Sequence, residues 1–359
     1  IPKLIQTAIP QAETLAETLS QLGKHDLAHL NLEYLDDHIA PVVQIGEHVS
    51  GGTGLFRAQA ICPAWAFYQY RLGAKALKTP TNGLDTMTRG ILVHDVLAAF
   101  WQSNDQFRHF ADLRDMSEKD LTIALNLAIE QVLTTFSAEQ NMLSQHILSL
   151  ERERLQKLVG DWLAFERERG VPFHMIACEA EKKVMVAGIE VTLKIDRIHT
   201  LESYPIETQP HENSGVEFVD YKTGQIPNVN GWGEERLTEP QLPIYAVFYD
   251  NAFNVSGVQF GIVKTAEHGF SGISEADFVT EVEKRKPKFI QNFSNWQDLL
   301  THWKTSIEAI AQEIKSGEAV VKFTDEKDLM YCEVMPLLRL PERQLQFERL
   351  REVNESANK

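Results

Sequence analysis

One run, Val216-Glu217-Phe218-Val219-Asp220-Tyr221-Lys222-Thr223-Gly224, constrains this chain more than any other. Its apolar and aromatic residues read as a strand, and the glycine as the turn that ends it. Alternate side chains of a strand leave opposite faces. Asp220 and Lys222 therefore project together, while Glu217, Val219 and Tyr221 face the other way. A carboxylate that can hold a divalent metal then stands beside an ammonium that can orient water or steady a developing oxyanion, an arrangement suited to phosphodiester hydrolysis. The same residues also fit a plain ion pair at a strand end, so the neighbouring segments have to decide between the two.

Upstream, Val191-Thr192-Leu193-Lys194-Ile195-Asp196-Arg197-Ile198 alternates apolar and polar residues and reads as a half-buried strand whose polar edge ends at Asp196. Lys183-Val184-Met185-Val186 and an Ala187-Gly188 turn precede it, which predicts a hairpin feeding the Asp220 strand. Two carboxylates about 4 Å apart repel by about 4 kcal/mol at an effective dielectric of about 20, a cost that a bound cation removes. From Thr88 to Trp101 apolar residues recur at helical spacing, and His94 shares a stripe with Gly90, Leu97 and Trp101. Gly90 allows close approach one turn before His94. A lone histidine on such a face is also compatible with a satisfied core residue. In Thr238-Glu239-Pro240-Gln241-Leu242-Pro243-Ile244-Tyr245-Ala246-Val247-Phe248-Tyr249 the prolines suit the first turn of a helix, and Gln241 and Tyr245 stack at i and i+4. A capping box between Thr238 and Gln241 is the competing reading.

In chain order these segments resemble the PD-(D/E)XK nuclease superfamily, specifically its RecB/AddB-like branch, to which the wording DYKTG and QLPIYA is close. Gly51-Gly52-Thr53-Gly54-Leu55-Phe56, Gln59-Ala60-Ile61-Cys62-Pro63 and Tyr70-Arg71-Leu72-Gly73-Ala74 are similar to the segment leading into that nuclease domain. The resemblance implies an α/β fold: a restriction-endonuclease-like core with a central mixed β-sheet flanked by helices, and an added helical region. It implies His94, Asp196 and Asp220 as ligands of Mg²⁺ or Mn²⁺, with the Tyr221 carbonyl as an additional one. Lys222 would orient the attacking water and stabilise charge, while Gln241 and Tyr245 would support the site and the bound strand. The branch often carries an acid on the first strand, where Glu179 and Glu181 both stand, and the sequence does not choose between them. The function so implied is metal-dependent hydrolysis of DNA, expected as an exonuclease of repair or recombination. The resemblance implies DNA as the substrate, with a helicase subunit or the helicase region of a longer parent chain as a candidate partner. A catalytically inactive DNA-binding or scaffolding domain is the alternative.

Some relatives hold an iron-sulfur cluster on one upstream cysteine and a C-terminal cysteine run, a four-thiolate site. Here Cys62 and Cys332 occupy two such positions, but Leu329 and Leu338 fill the outer ones and Cys178 lies outside the pattern. No iron-sulfur cluster is expected, apolar packing taking over its role as a staple.

A chain of 359 residues that is 43% hydrophobic can bury a full core. The expected division is a lead-in over 1–50, a nuclease domain over 51–345 with a helical insertion at about 102–170, and a tail over 346–359. Amphipathic helices are read around 118–135, 142–169 and 298–316, and a core strand over 258–264. Ser50-Gly51-Gly52-Thr53-Gly54 lacks the lysine of a phosphate-binding loop and reads as a turn. No apolar run approaching the roughly 20 residues of a membrane span and no signal peptide are read, so a soluble protein without membrane association is expected. Three scattered cysteines fit a reducing cytoplasm, and a start at Ile1 rather than methionine suggests a fragment. The net charge of −16 runs against a nucleic-acid binder, whose surface is expected to be basic. Binding would have to be local, through Arg89, Lys182, Lys183, Lys194, Arg197 and Lys222, with Glu283-Lys284-Arg285-Lys286-Pro287-Lys288 as a second basic knot.

Overall fold

The alternation read around Asp196 becomes a long antiparallel hairpin, β3 (Phe173–Val186) and β4 (Ile189–Leu201), in a computed structural model that describes residues 38–44, 46–77, 83–139, 145–201, 215–279, 287–345 and 347–348. Ala187 and Gly188 both have positive φ, +48° and +91°, as a two-residue turn joining right-twisted strands requires. Val191, Leu193 and Ile195 are buried. β5 (Val216–Lys222) follows, then β6 (Val255–Lys264) and β7 (Glu267–Ser274), and the five strands lie in the order β3-β4-β5-β6-β7. Only β5 and β6 are parallel, which makes the sheet mixed. A minor hairpin of β1 (Gln102–Ser103) and β2 (Gln106–Phe107) stands apart.

Helices cover both faces. Against one face pack α1 (Gly52–Ile61), α2 (Pro63–Ala66), α7 (Gln241–Phe248) and α9 (Trp296–Ser316), sharing a core with Val191, Leu193, Ile195, Phe218, Val258 and Phe260. Against the other pack α3 (Thr86–Trp101), α4 (Phe110–Asp115), α5 (Glu118–Glu139) and α6 (Gln145–Arg169), on Phe173, Met175, Val219, Tyr221 and Val263. This is a mixed sheet between helical layers, a restriction-endonuclease-like α/β fold. Two short helices, α8 (Ala276–Val279) and α10 (Met335–Leu338), complete the set of described α-helices.

α9 begins where the Asn295 side chain accepts from the Asp298 N–H at 2.9 Å and ends at Gly317, whose φ of +83° is the left-handed stop that glycine favours. Residues 39–43, within the stretch read as a lead-in, run along this helix end: Ala40 N–H donates to Gly317 O at 2.7 Å and Val43 N–H to Lys315 O at 2.9 Å. Residues 1–37, 349–359 and most of the second basic knot lie outside the described residues. The expected glycine turn shrinks to Gly51 and Gly52, at φ +109° and +52°, with α1 starting at Gly52 itself. Leu329 and Leu338 are fully buried in the same core as Cys62 and Cys332.

The membrane expectation needs correcting in one respect. Glu118–Ala138 is, by length and composition, apolar enough to cross a membrane, with a mean hydropathy of 1.3. Glu118, Lys119 and Asp120 at its start interrupt the apolar run in the sequence. In the fold, Leu121, Leu125, Ala128, Ile129 and Leu133 of α5 are buried at helical spacing against the α3 and α6 core.

Candidate active site

β4 and β5 hold their ladder only as far as the pair Arg197↔Val219. Beyond that pair they part, and the Asp196 side chain takes over, its Oδ2 accepting from the Tyr221 N–H at 2.6 Å. A residue's N–H and C=O point to the same edge of a strand, so the Tyr221 carbonyl opens into the same fork. Into it α3 brings His94, with Nδ1 3.2 Å from Asp196 Oδ2. A Cβ on Gly90 would lie 3.1 Å from Thr223 Oγ1, so the glycine lets α3 close onto the loop that follows Lys222.

Across from Asp196, in register, stands Glu179. The flanking pairs Cys178↔Arg197 and Ala180↔Ile195 are made, but Glu179 itself has φ +46° and breaks the ladder. A glutamate in that region costs about 1–3 kcal/mol and persists only where the surroundings enforce it. Its carboxylate takes the Lys194 ammonium at 2.6 Å. Ligand atoms of His94, Glu179 and Asp196 all lie within 4.8 Å of one another. Glu181, the other candidate acid, is exposed.

Asp220 and Lys222 leave β5 together, as the alternation predicts, with Oδ2 and Nζ 2.5 Å apart. The Gln241 amide couples them: Lys222 donates to its Oε1 at 2.9 Å, and its Nε2 donates to Asp220 Oδ1. Gln241 Nε2 also reaches the Tyr245 hydroxyl at 3.0 Å, which in turn donates to Lys194 O at 2.7 Å. The competing capping box is not formed. The N-cap of α7 is Pro240, which has no polar side chain, and Gln241 is the first helical residue, its amide bonded to Lys222 and Asp220.

Burial pushes the Asp220 carboxyl up to about 6, Lys222 opposing and Asp196 reinforcing the shift. Burial likewise raises Glu179, with Asp196 adding to it. For His94 burial works against the imidazolium, but the carboxylates of Asp196, Asp220 and Glu179 outweigh it and raise its pKa. Asp220 Oδ2 has an ion-pair partner in Lys222 but no well-formed hydrogen bond. Carboxylates crowded this closely, with one imidazole and a backbone carbonyl at the fork, suit a hard divalent cation bound through oxygen.

The site opens into a cleft of about 810 Å³ whose walls include Gly51, Arg57, Met87, Ile91, Lys194, Glu239 and Tyr331. Of the cations read as a DNA-facing cluster, only Lys194 and Lys222 line it. Arg197 is fully buried on the opposite face of the sheet, donating to Glu166 and to the Tyr221 hydroxyl, with its guanidinium 4.0 Å from the Phe173 ring centroid. It cannot touch a strand. Lys182 pairs with Asp250, Lys183 with Glu190, and Arg89 with Glu151. Arg57, Glu239 and Tyr331 carry no sequence signal that marks them for the site: Arg57 is one cation in an apolar helix, and Tyr331 sits inside the cysteine run.

A family model described as the PD-(D/E)XK nuclease superfamily matches residues 56–337, and the chain belongs to that superfamily. Among curated proteins none matches the sequence. The membership makes the protein a nuclease by class.

Proposed function

We propose that the protein is a Mg²⁺- or Mn²⁺-dependent deoxyribonuclease of RecB/AddB-like type. We place it in DNA repair or recombination, acting as an exonuclease alongside a helicase. The observation that carries this reading is the meeting of His94, Glu179 and Asp196 within 4.8 Å, beside the Asp220–Lys222 pair. His94, Asp196, Asp220 and the Tyr221 carbonyl would hold the cation, with Glu179 able to join them. A bound divalent ion supplies Lewis-acid polarisation of the phosphate and a more acidic water. Lys222, held by Gln241, orients the attacking water and opposes the negative charge that develops on the phosphoryl oxygens. Tyr245 fixes Gln241 and, through Lys194 O, ties α7 to β4. Cleavage of end-labelled single- and double-stranded DNA is expected with Mg²⁺ or Mn²⁺ and is expected to vanish in EDTA. Undiminished cleavage in EDTA would refute the metal mechanism, while binding of DNA without cleavage under any metal would favour the scaffolding alternative.

A further inference from the structure

We propose that Tyr331 and Arg57 form a stacking subsite for an unpaired nucleobase on the wall of the cleft. The proposal rests on the nuclease reading and adds to it the part of the strand that is recognised. Tyr331 ends a short 3-10 turn, Glu326–Tyr331, and exposes 52% of its surface inside the cleft. Isolated exposed aromatic residues are ordinary on protein surfaces and by themselves mean little. This ring differs in how it is held. Leu329 is fully buried and Cys332 nearly so, which anchors the chain on both sides of it. Its hydroxyl donates to Gln225 Oε1, three residues beyond Lys222. The Arg57 guanidinium lies 5.8 Å from its centroid and pairs at 3.5 Å with Glu239, two residues before Gln241. The ring is thus tied by its tip and by a cation to the two segments that carry the chemistry.

The Arg57 side chain keeps 36% of its surface exposed beside the ring. On another part of the cleft wall, Met87 and Ile91 expose 57% and 52% of their surfaces, one turn apart on α3. A strand whose phosphate meets the charged floor would find a flat π-surface with an adjacent guanidinium and apolar side chains for its bases. Such a platform is tolerant of sequence, because every base has a π-face. It is selective for unpaired bases, because the faces of a duplex base are covered by its neighbours.

The test uses the intact protein and single-stranded oligonucleotides, either complete or with one abasic sugar stepped along positions near the cut. Tyr331→Ala is expected to raise KM on the complete strand by about 5- to 150-fold, the range that loss of one stacked base implies. The parent should discriminate against the abasic sugar at one position, and Tyr331→Ala should lose that discrimination. Tyr331→Phe, which keeps the ring, should stay within about threefold of the parent. With Ca²⁺ in place of Mg²⁺, 2-aminopurine at the sensitive position should be quenched on binding the parent and not on binding Tyr331→Ala. Equal losses on complete and abasic strands would reveal a merely structural tyrosine and overturn the proposal, as would parental behaviour of Tyr331→Ala. Absence of cleavage by the parent under every metal would count against the nuclease reading instead, and the quenching comparison would still decide the subsite.

Discussion

The side-chain amide of Gln241 touches both halves of the chemistry, accepting from Lys222 and donating to Asp220, so one residue sets the spacing between ammonium and acid. The two can be separated by substitution. Lys222→Ala is expected to lose cleavage by at least about 10²-fold, the usual cost of a transition-state contact, while still binding Mn²⁺. Asp220→Ala should lose both. Because Lys222 holds the Asp220 pKa down, its removal makes the carboxyl a tighter proton acceptor, so calorimetric Mn²⁺ titrations belong at about pH 8. Parental cleavage by Lys222→Ala, or unchanged Mn²⁺ binding by Asp220→Ala, would show the roles to be misassigned. Glu179 marks the limit of a residue-by-residue reading. Glu179 and Glu181 share strand parity, and only the backbone at φ +46° sets Glu179 apart.

At the scale of elements, a buried polar network joins α6 to the sheet on the face opposite Asp196. Arg197 donates to Glu166 of α6, to Tyr221 and, at 3.2 Å, to His199 Nδ1, while His199 Nε2 lies 3.1 Å from Glu217. Burial and the Arg197 charge lower the His199 pKa, so the imidazole is neutral there. Glu166→Gln or Arg197→Met alone strands the other charge in the core and is expected to cost about 3–5 kcal/mol of stability, read from urea unfolding midpoints. Arg197→Met with Glu166→Leu should recover much of the loss; single variants as stable as the parent would mean that the pair does not hold α6 in place. None of this was legible beforehand. Glu166 and Arg197 lie in different elements far apart in sequence, and no periodicity links them. β4, β5, β6 and α9 were legible because period-2 or period-3.6 burial is written into Val191-Leu193-Ile195 or the α9 stripe. β7, with Gly269 and Gly272 and a mostly half-buried pattern, carries no such signature. The capping box misled for the opposite reason: its local pattern was present, but α7 starts at Gln241 behind Pro240, so Thr238 is not the N-cap and the Gln241 amide bonds Asp220 and Lys222 instead.

For the whole molecule, the crowding of acids at one site makes stability depend on pH and on metal together. A folded-state Asp220 pKa of about 6 lies above its ordinary 3.8, so the folded protein binds that proton more tightly than the unfolded chain does. The resulting stabilisation is complete below about pH 4 and is lost as pH rises through about 6. A divalent cation that binds only the folded carboxylates should restore stability above that range by mass action. Thermal unfolding in EDTA and in Mg²⁺ should therefore differ little near pH 4.5 and increasingly toward pH 8, with Asp220→Asn flattening the dependence. A Mg²⁺ shift as large at low pH as at high would contradict it. The fork between β4 and β5 also bears on how the chain comes into being. His94, Glu179 and Asp196 emerge from a ribosome well before Asp220, Lys222 and Gln241, and none of the six sites does chemistry alone. On the proposed reading a chain made only as far as β4 could not cut, because Asp220, Lys222 and Gln241, on β5 and α7, would still be to come.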